Sequence, residues 1–440
     1  MVVTEELLVR RLDWILNRIE PVPEEWKEKT VNDAGQAELK PLLCESYAEL
    51  IKVWKRAMYW TDGLDRALSV MLASIAAIPT VGDQLWVKIL GPASIGKSAL
   101  CAAVSVNRKY VLAKSTIRGF HSGFGDGTED NSLIAQIGGK ALVTKDGDTL
   151  LTSPNLPQIL SEARDVYDGD SRTHYRNKNS REYSGVRMAW ILCGTASLRS
   201  LDSSELGERF LDCVIMDGID EEMEDLVLLQ VASRTDRNMS QDALGESGSQ
   251  HDPDMAEAIQ RTGGYIDWLR DNVVESMPIT QASPLALRRC IDLGKFVAFM
   301  RARPSAQQDE TAEREFAARL VIQLVRLSKC LAFVLNRQVL DTEVLRRTAR
   351  VALDTARGQT LDIVDHLYDL GDDGGDLHSV ILHVGQDEVK AKVLLRFLRA
   401  IKVLETFIPD GPAGIRMRPR WRIVGTVARL YERVMEIEVE

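Results

Sequence analysis

The stretch Leu85-Trp86-Val87-Lys88-Ile89-Leu90-Gly91-Pro92-Ala93-Ser94-Ile95-Gly96-Lys97-Ser98 decides how the rest of the chain is read. A short apolar run ends at Gly91, and Gly91 to Ser98 fit the pattern G-x-x-x-x-G-K-S/T. In that pattern the glycines let the backbone curl so that N–H groups converge on phosphate oxygens. The lysine neutralises the outer phosphates, and the serine hydroxyl binds Mg²⁺. A helix starting at Lys97 aims its positive end at the same point. The expected ligand is ATP with Mg²⁺, held by Gly91, Pro92, Ala93, Ser94, Ile95, Gly96, Lys97, Ser98 and Ala99.

Outward from this loop, apolar runs at 108–112, 140–144, 188–193 and 213–216 read as further strands, with a helix at 155–167. Strands alternating with helices predict an α/β fold, a parallel sheet with helices on both faces. The flanks read as helical. Leu7, Leu8, Leu12, Ile15 and Leu16 have helical spacing, and 47–58 and 62–77 carry further helices. Beyond the sheet, 256–302 is helical with breaks near Pro278 and Pro284. Residues 311–334 and 342–356 are helices, the latter with Asp341 as N-cap. The polar stretch 239–253 reads as a loop and 371–376 as an acidic, glycine-rich linker. The expected domains are a helical one at 1–61, the sheet core at 62–218, a helical lid at 219–303, a helical extension at 304–370 and a basic module at 377–440.

A phosphate loop needs an acid to hold Mg²⁺ through water. Asp146, at the end of the 140–144 strand, is that acid, so Ser98 and Asp146 form the expected metal side. Gly147 follows, where many ATPases carry a glutamate that polarises the attacking water. Asp148 is the substitute.

With those residues in place, the order of elements resembles an AAA+ P-loop ATPase, in particular the AAA+ proteins of phages and integrative mobile elements. The likeness is carried by 82–98, Gly119-Phe120-His121-Ser122-Gly123-Phe124-Gly125, 142–146 and Leu206-Gly207-Glu208-Arg209-Phe210-Leu211. The resemblance implies that Thr195, ending the run 188–195, senses the γ-phosphate. It implies that Arg209 is an arginine finger reaching a neighbouring subunit, and hence a ring, a hexamer. The helices beyond 256 are similar to the lid of minichromosome-maintenance helicases, which makes Arg288 or Arg289 the second sensor. Lys97, Asp146, Asp148, Thr195 and Arg209 are then the catalytic set. Phe120 and Phe124 are either pore-loop aromatics or rings packed beneath their loop.

The formal net charge of −10 over 440 residues argues against a uniformly basic nucleic-acid binder. The charge is uneven, however. From Lys390 to Arg433 eleven Lys/Arg face three acids, a net of +8 that leaves −18 for the rest. A basic helix carries Lys392, Arg396, Arg399 and Lys402. The run 415–423 alternates apolar residues with Arg416, Arg418, Arg420 and Arg422, as a β-ribbon does. Helix, ribbon and closing helix at 427–435 resemble a winged-helix domain that binds DNA. A second basic stretch, 171–187, holds Arg172, Arg176, Lys178 and Arg181 with interleaved aromatics, as a single-strand channel needs. In the helicase-type members of the resembled family a hairpin stands there.

No run is apolar and long enough to span a bilayer, and Glu5 and Glu6 do not suit a secretory leader. The six scattered cysteines and six histidines show no ligand spacing, so reduced core thiols in a cytoplasmic protein are expected, with no membrane partner. The leading expectation is a ring-forming Mg²⁺-dependent ATPase acting on DNA, single-stranded above all, as a helicase or replication protein of a mobile element. The alternative is an ATP-gated assembly protein acting on a replication or defence protein partner.

Overall fold

The computed structural model describes residues 39–122, 130–174, 180–203, 209–215, 252–276, 282–302, 316–385, 387–410 and 418–439, with a few isolated positions between 225 and 233. The expected helix at 5–19, the loop up to 251, the start of the 311–334 helix, Phe124, Arg176, Lys178, Gly207, Glu208 and Arg416 lie outside them.

In chain order the elements are α1 (Tyr47–Ala57), α2 (Asp62–Ala77), β1 (Trp86–Leu90), α3 (Lys97–Ser105), β2 (Val111–Lys114), α4 (Leu133–Ile137), β3 (Ala141–Thr144), α5 (Asp148–Leu151) and α6 (Leu156–Asp168). The hairpin β4 (Ser171–His174) and β5 (Ser180–Tyr183), β6 (Ala189–Gly194), a 3₁₀ turn Ala196–Ser203, and β7 (Phe210–Val214) complete the sheet region. Then come α7 (Pro253–Ser276), α8 (Pro284–Arg301), α9 (Ala318–Val334), α10 (Thr342–Ala356), α11 (Gln359–Asp369), α12 (Leu377–Val384), α13 (Glu388–Ala400), β8 (Leu404–Phe407), β9 (Arg420–Ile423) and α14 (Gly425–Val439).

Five strands form an all-parallel sheet in the order β2-β3-β6-β1-β7. The expected α/β class is therefore observed. Alternate residues of each strand enter two cores. Val87, Ile89, Ile191, Cys193, Leu211 and Cys213 pack with α2, α3 and the later helices, whereas Trp86, Trp190 and Phe210 join Tyr167 of α6 and Phe120 in an aromatic cluster. Phe120 is wholly buried edge-on to Trp190, so it is a packing residue and not a presented ring.

Two strands differ from the sequence reading. β2 begins at Val111 and not at 108, because Asn107 uses its carbonyl oxygen to receive Tyr110 N–H in a turn that occupies 107–110. β7 runs over Phe210–Val214 and not 213–216. Its aspartate, Asp212, interrupts the apolar pattern but pairs with the equally buried Lys88, its cross-strand partner on β1, at 3.0 Å. Asp212 also pairs with Arg199 at 3.4 Å, so two cations hold this buried carboxylate.

β7 is a sheet edge, and the fold closes it with α10. Asp212 N–H donates to Thr355 Oγ1 (2.9 Å) and Val214 N–H to Asp354 Oδ2 (2.7 Å). Edge N–H groups that would otherwise be orphaned are thus satisfied by helix side chains. The expected Asp341 cap of α10 is present, accepting Val344 N–H.

Of the expected ribbon 415–423, residues 415–417 lie outside the described residues. β9 covers Arg420–Ile423 and pairs antiparallel with β8, whose first residue, Leu404, was expected to end the basic helix. The acidic linker is not a free connection either. Gly375 exchanges both backbone hydrogen bonds with Trp421, and a Cβ at Gly374 (φ 58°) would strike the Trp421 carbonyl and the Phe407 ring. α11 and Gly375 therefore pack with the module, ahead of its expected start at 377. The closing helix α14 packs back on α8 and α10, with Arg433 reaching Asp292 at 2.9 Å.

Candidate functional site

The order of the strands places β1 between β6 and β7, so the chain leaves β1 across the sheet and returns past it. Ligands in open parallel sheets bind outside the carboxyl ends of strands at such a reversal. Three segments converge there: the loop after β1, the Asp146–Asp148 turn after β3 and Thr195 after β6.

The loop after β1 is built as its glycines require. Ser94 (φ 65°) and Gly96 (φ 102°) both take left-handed conformations, and Gly96 caps the nine-residue α3. A Cβ at Gly96 would press against Met58 and Leu64, so α2 and the segment before it brace the loop from behind. Among the described residues, the N–H groups of Gly96, Lys97 and Ser98 donate to no protein acceptor. These donors at a helix start are the arrangement that receives an oxyanion. Lys97 Nζ spans the loop and donates to the carbonyls of Gly91 (2.7 Å) and Pro92 (2.5 Å). Burial holds this ammonium below the usual lysine value, against the pull of acidic neighbours that include Asp148. Pro92, Ala93, Ser94 and Ser98 are exposed.

Thr195 and Asp148 are joined directly. Thr195 N–H donates to Asp148 Oδ2 (2.9 Å) and its hydroxyl to Oδ1 (3.0 Å). Gly194 permits this approach, since a Cβ there would lie 3.0 Å from Asp148 Oδ2. Gly147 is equally constrained. Its N–H donates to Cys193 O at 2.7 Å, and a Cβ would fall 2.6 Å from Leu192 Cδ1 and 3.0 Å from that carbonyl. Asp146 is exposed, and among the described residues its carboxylate has no partner. No group of three or more His, Cys, Asp or Glu among the described residues is placed to hold a metal. Mg²⁺ bound with a nucleotide asks for less, one hydroxyl and one carboxylate, which Ser98 and Asp146 offer.

Arg209 and Arg288 are not brought to this end of the sheet. Arg209 stands before β7 at the amino edge. Its guanidinium carbon lies 5.3 Å from the Tyr167 ring centre, and it pairs with Asp168 at 3.0 Å. Its side chain is buried, because ring and carboxylate together supply a partner within the same chain. It is thus not an exposed finger in this structure. Arg288 lies on the exposed side of α8 and pairs with Asp292 at 3.5 Å. α8 packs on α9, α10 and α14, so nothing directs Arg288 to the loop.

A cluster of cations near the end of β7 was missed in the sequence. Arg66 on α2 donates to Val214 O at 2.8 Å, where β7 ends against Gly91 through Ile215. With Arg346, Arg347 and Arg350 of α10 and the acids Asp62, Asp65 and Glu343 it lines a cavity of about 180 Å³. Arg347 pairs with both Asp65 and Glu343. One signal was available: Arg66 is the sole cation of Asp62–Ala77, a helix with no other charge after its first turn.

The basic elements divide. In the hairpin, Arg172 pairs across the strands with Glu182 (2.8 Å), and the less exposed Arg181 lies 3.9 Å from Asp130, which also receives the Tyr183 hydroxyl. The described part of the hairpin is therefore charge-balanced. In the carboxyl-terminal module, Lys392 pairs with Glu388 (2.5 Å), Arg420 donates to Asp373 O, and Arg422 pairs with Glu405 (2.7 Å) over the Phe407 ring. Arg396, Arg399 and Arg418 are exposed, and among the described residues they have no side-chain partner. Arg396 and Arg418 line a groove of about 480 Å³ with Lys392, His378 and Trp421.

Fold and site together define a parallel α/β protein with a glycine-rich, lysine-bearing loop at the reversal point of its sheet. Compared with protein-family models and with curated proteins, the chain matches none. No helix of the described residues is long and apolar enough to cross a membrane.

Proposed function

We propose that the chain is an AAA+-type protein that binds ATP with Mg²⁺ at the Gly91–Ser98 loop and hydrolyses it slowly. The observation that carries this reading is the loop itself: unpaired N–H groups at the start of α3, closed by Lys97 and set at the carboxyl end of β1. Bound Mg²⁺ supplies charge neutralisation on the phosphates, and Ser98 and Asp146 are the residues that would hold it. Lys97 exchanges its two loop carbonyls for phosphate oxygens. Asp148 and Thr195 act as one unit, in which the carboxylate orients a water and the Thr195 hydroxyl, shared with it, reports on the terminal phosphate. Lys97→Ala tests the reading: binding of a fluorescent ATP analogue should weaken at least a hundredfold with the fold retained. Unchanged binding would sink the proposal.

The nucleic acid is the proposed substrate of the motor. α11, the Gly375 extension, α12, α13 and the β8–β9 pair follow one another as in a winged helix, with Arg396 and Arg399 on its third helix and Arg418 beside the wing. Stimulation of ATP turnover by single-stranded DNA at low salt is the test, since phosphate-driven binding is strongest there. Ring assembly rests on the family resemblance; a finger role for Arg209 requires it to leave Asp168.

A second reading is favoured by one observation. Gly147 excludes a glutamate sterically, and Asp148 is already engaged by Thr195. Slow turnover of that kind suits an ATP-gated assembly protein acting on a protein partner in replication or defence. Absence of DNA binding together with ATP-dependent capture of such a partner would select it.

A further inference from the structure

Cys101 lies one turn after Lys97 on α3, and Cys193 precedes Gly194 at the tip of β6. Their Sγ atoms are 3.2 Å apart, and both are buried free thiols. A disulfide needs about 2.05 Å, so an approach of roughly 1 Å closes the bond. Sequence spacing gave no hint of this pair, because 92 residues separate the two.

The two thiols are also chemically unlike. The hydrogen bond with Cys193, aided by the charges of Lys145 and Lys97, holds Cys101 below the ordinary thiol value. The other five thiols are all pushed up. In Cys44, Cys213, Cys290 and Cys330 the first cause is burial; in Cys193 it is the bond with Cys101, followed by burial. Thiolate character decides which cysteine reacts first, which makes Cys101 the attacking sulfur and Cys193 the resolving one.

We propose that Cys101 and Cys193 are an oxidisable dithiol that takes a peroxide as its oxidant, and that the resulting disulfide shuts the phosphate loop to nucleotide. The second half rests on the nucleotide reading above. Burial of both sulfurs selects an oxidant of about the size of water, and excludes a bulky disulfide. The Cys101 thiolate attacks one peroxide oxygen, the O–O bond breaks, and the departing hydroxide takes a proton to leave as water. Cys101 is then a sulfenic acid. The Cys193 sulfur attacks the Cys101 sulfur, the S–O bond breaks, and the hydroxyl leaves with the Cys193 proton as a second water. Two thiols lose two electrons and one peroxide gains them.

The consequence for the loop follows from what the β6 tip holds. Cys193 O receives Gly147 N–H, Gly194 O receives Gly91 N–H, and Thr195 binds Asp148. Lys97 and Ser98 begin the helix that carries Cys101. Drawing α3 onto β6 displaces the helix start against a tip that is fixed to both other segments of the site.

The test treats the reduced full-length chain with hydrogen peroxide, maps thiols by alkylation and mass spectrometry, and measures binding of a fluorescent ATP analogue. The expected result is a loss of two hydrogens mapped to a Cys101–Cys193 cross-link, with at least tenfold weaker nucleotide binding that dithiothreitol restores. Cys101→Ser and Cys193→Ser should keep their nucleotide affinity after peroxide; Cys101→Ala replaces the first if serine unfolds the protein. The proposal is overturned if both cysteines remain alkylatable, if Cys101 advances to a sulfinic acid without a cross-link, or if the cross-linked protein binds as well as the reduced one. A reduced protein that binds no ATP overturns the nucleotide reading. The mass spectrum still scores the cross-link by itself, so the two failures are told apart.

Discussion

At position 147 the chain carries glycine where many ATPases carry glutamate, and the packing explains why nothing larger stands there. The Gly147 backbone is held against Cys193 O, with Leu192 behind it. Gly147→Ala is expected to lower stability by about 1–3 kcal/mol through overpacking, read as a drop in the thermal midpoint; an unchanged midpoint would show that the β6 tip yields. Asp148→Asn keeps an acceptor for Thr195 but removes the charge. Turnover is expected to fall at least tenfold, about 1.4 kcal/mol in barrier, with nucleotide affinity retained. Full turnover in this variant would place water activation elsewhere. At this scale the sequence was most legible where chemistry fixes spacing: the Gly91–Ser98 loop and Asp146 follow from a local pattern. The Asp148–Thr195 bond, the Arg66 cluster and the fate of Arg209 were not legible, because each depends on a partner dozens of residues away.

Among the elements, helices were read within a residue or two wherever an apolar stripe and a cap coincided, as in Asp62–Ala77 and Thr342–Ala356. Strands of four or five residues were misplaced when one charge broke the run, as Asp212 does in β7. That charge makes sense beside Lys88 and Arg199, which is tertiary information. The same strand supports a pH prediction. Burial pushes the Asp354 carboxyl up to about 6 from its usual 3.8, against the Val214 hydrogen bond and nearby arginines. The folded state thus binds this proton more tightly than the unfolded chain. The associated stability is fully present below the unfolded value and is lost as pH rises through about 6. Asp354→Asn removes the titration. Relative to this variant, the natural protein should gain about 1 kcal/mol on going from pH 7 to pH 5, measured by denaturant unfolding. A difference independent of pH would mean that Asp354 stays ionised among its arginines.

For the whole molecule, composition gave the class and the charge asymmetry gave the basic module, but the order of contacts within that module was hidden. β9 finds β8 and Gly375 because of backbone pairing, which no alternation of Arg and apolar residues reveals. Five exposed cations of the module, Arg396, Arg399, Lys402, Arg418 and Arg429, stand without side-chain partners among the described residues, and two of them lie on α13. Replacing Arg396 and Arg399 with Ala is expected to weaken DNA binding uniformly across sequences and to reduce the slope of log K against log salt by about 2. Fluorescence anisotropy at several salt concentrations measures it, and an unchanged slope would remove α13 from the interface.

The seam between β7 and α10 decides how firmly the sheet is joined to the helices that follow it. A cover that swings freely touches its base through side chains that slide. Here two backbone N–H groups of the sheet are bolted to Thr355 and Asp354, and Arg66 and Arg199 brace the same joint from either side. Ile215 N–H ties β7 to Leu90 O at the end of β1, these side chains tie β7 to α10, and α10 packs on α14. One unbroken run of direct contacts thus joins the phosphate-loop end of the sheet to a helix some two hundred residues further along the chain.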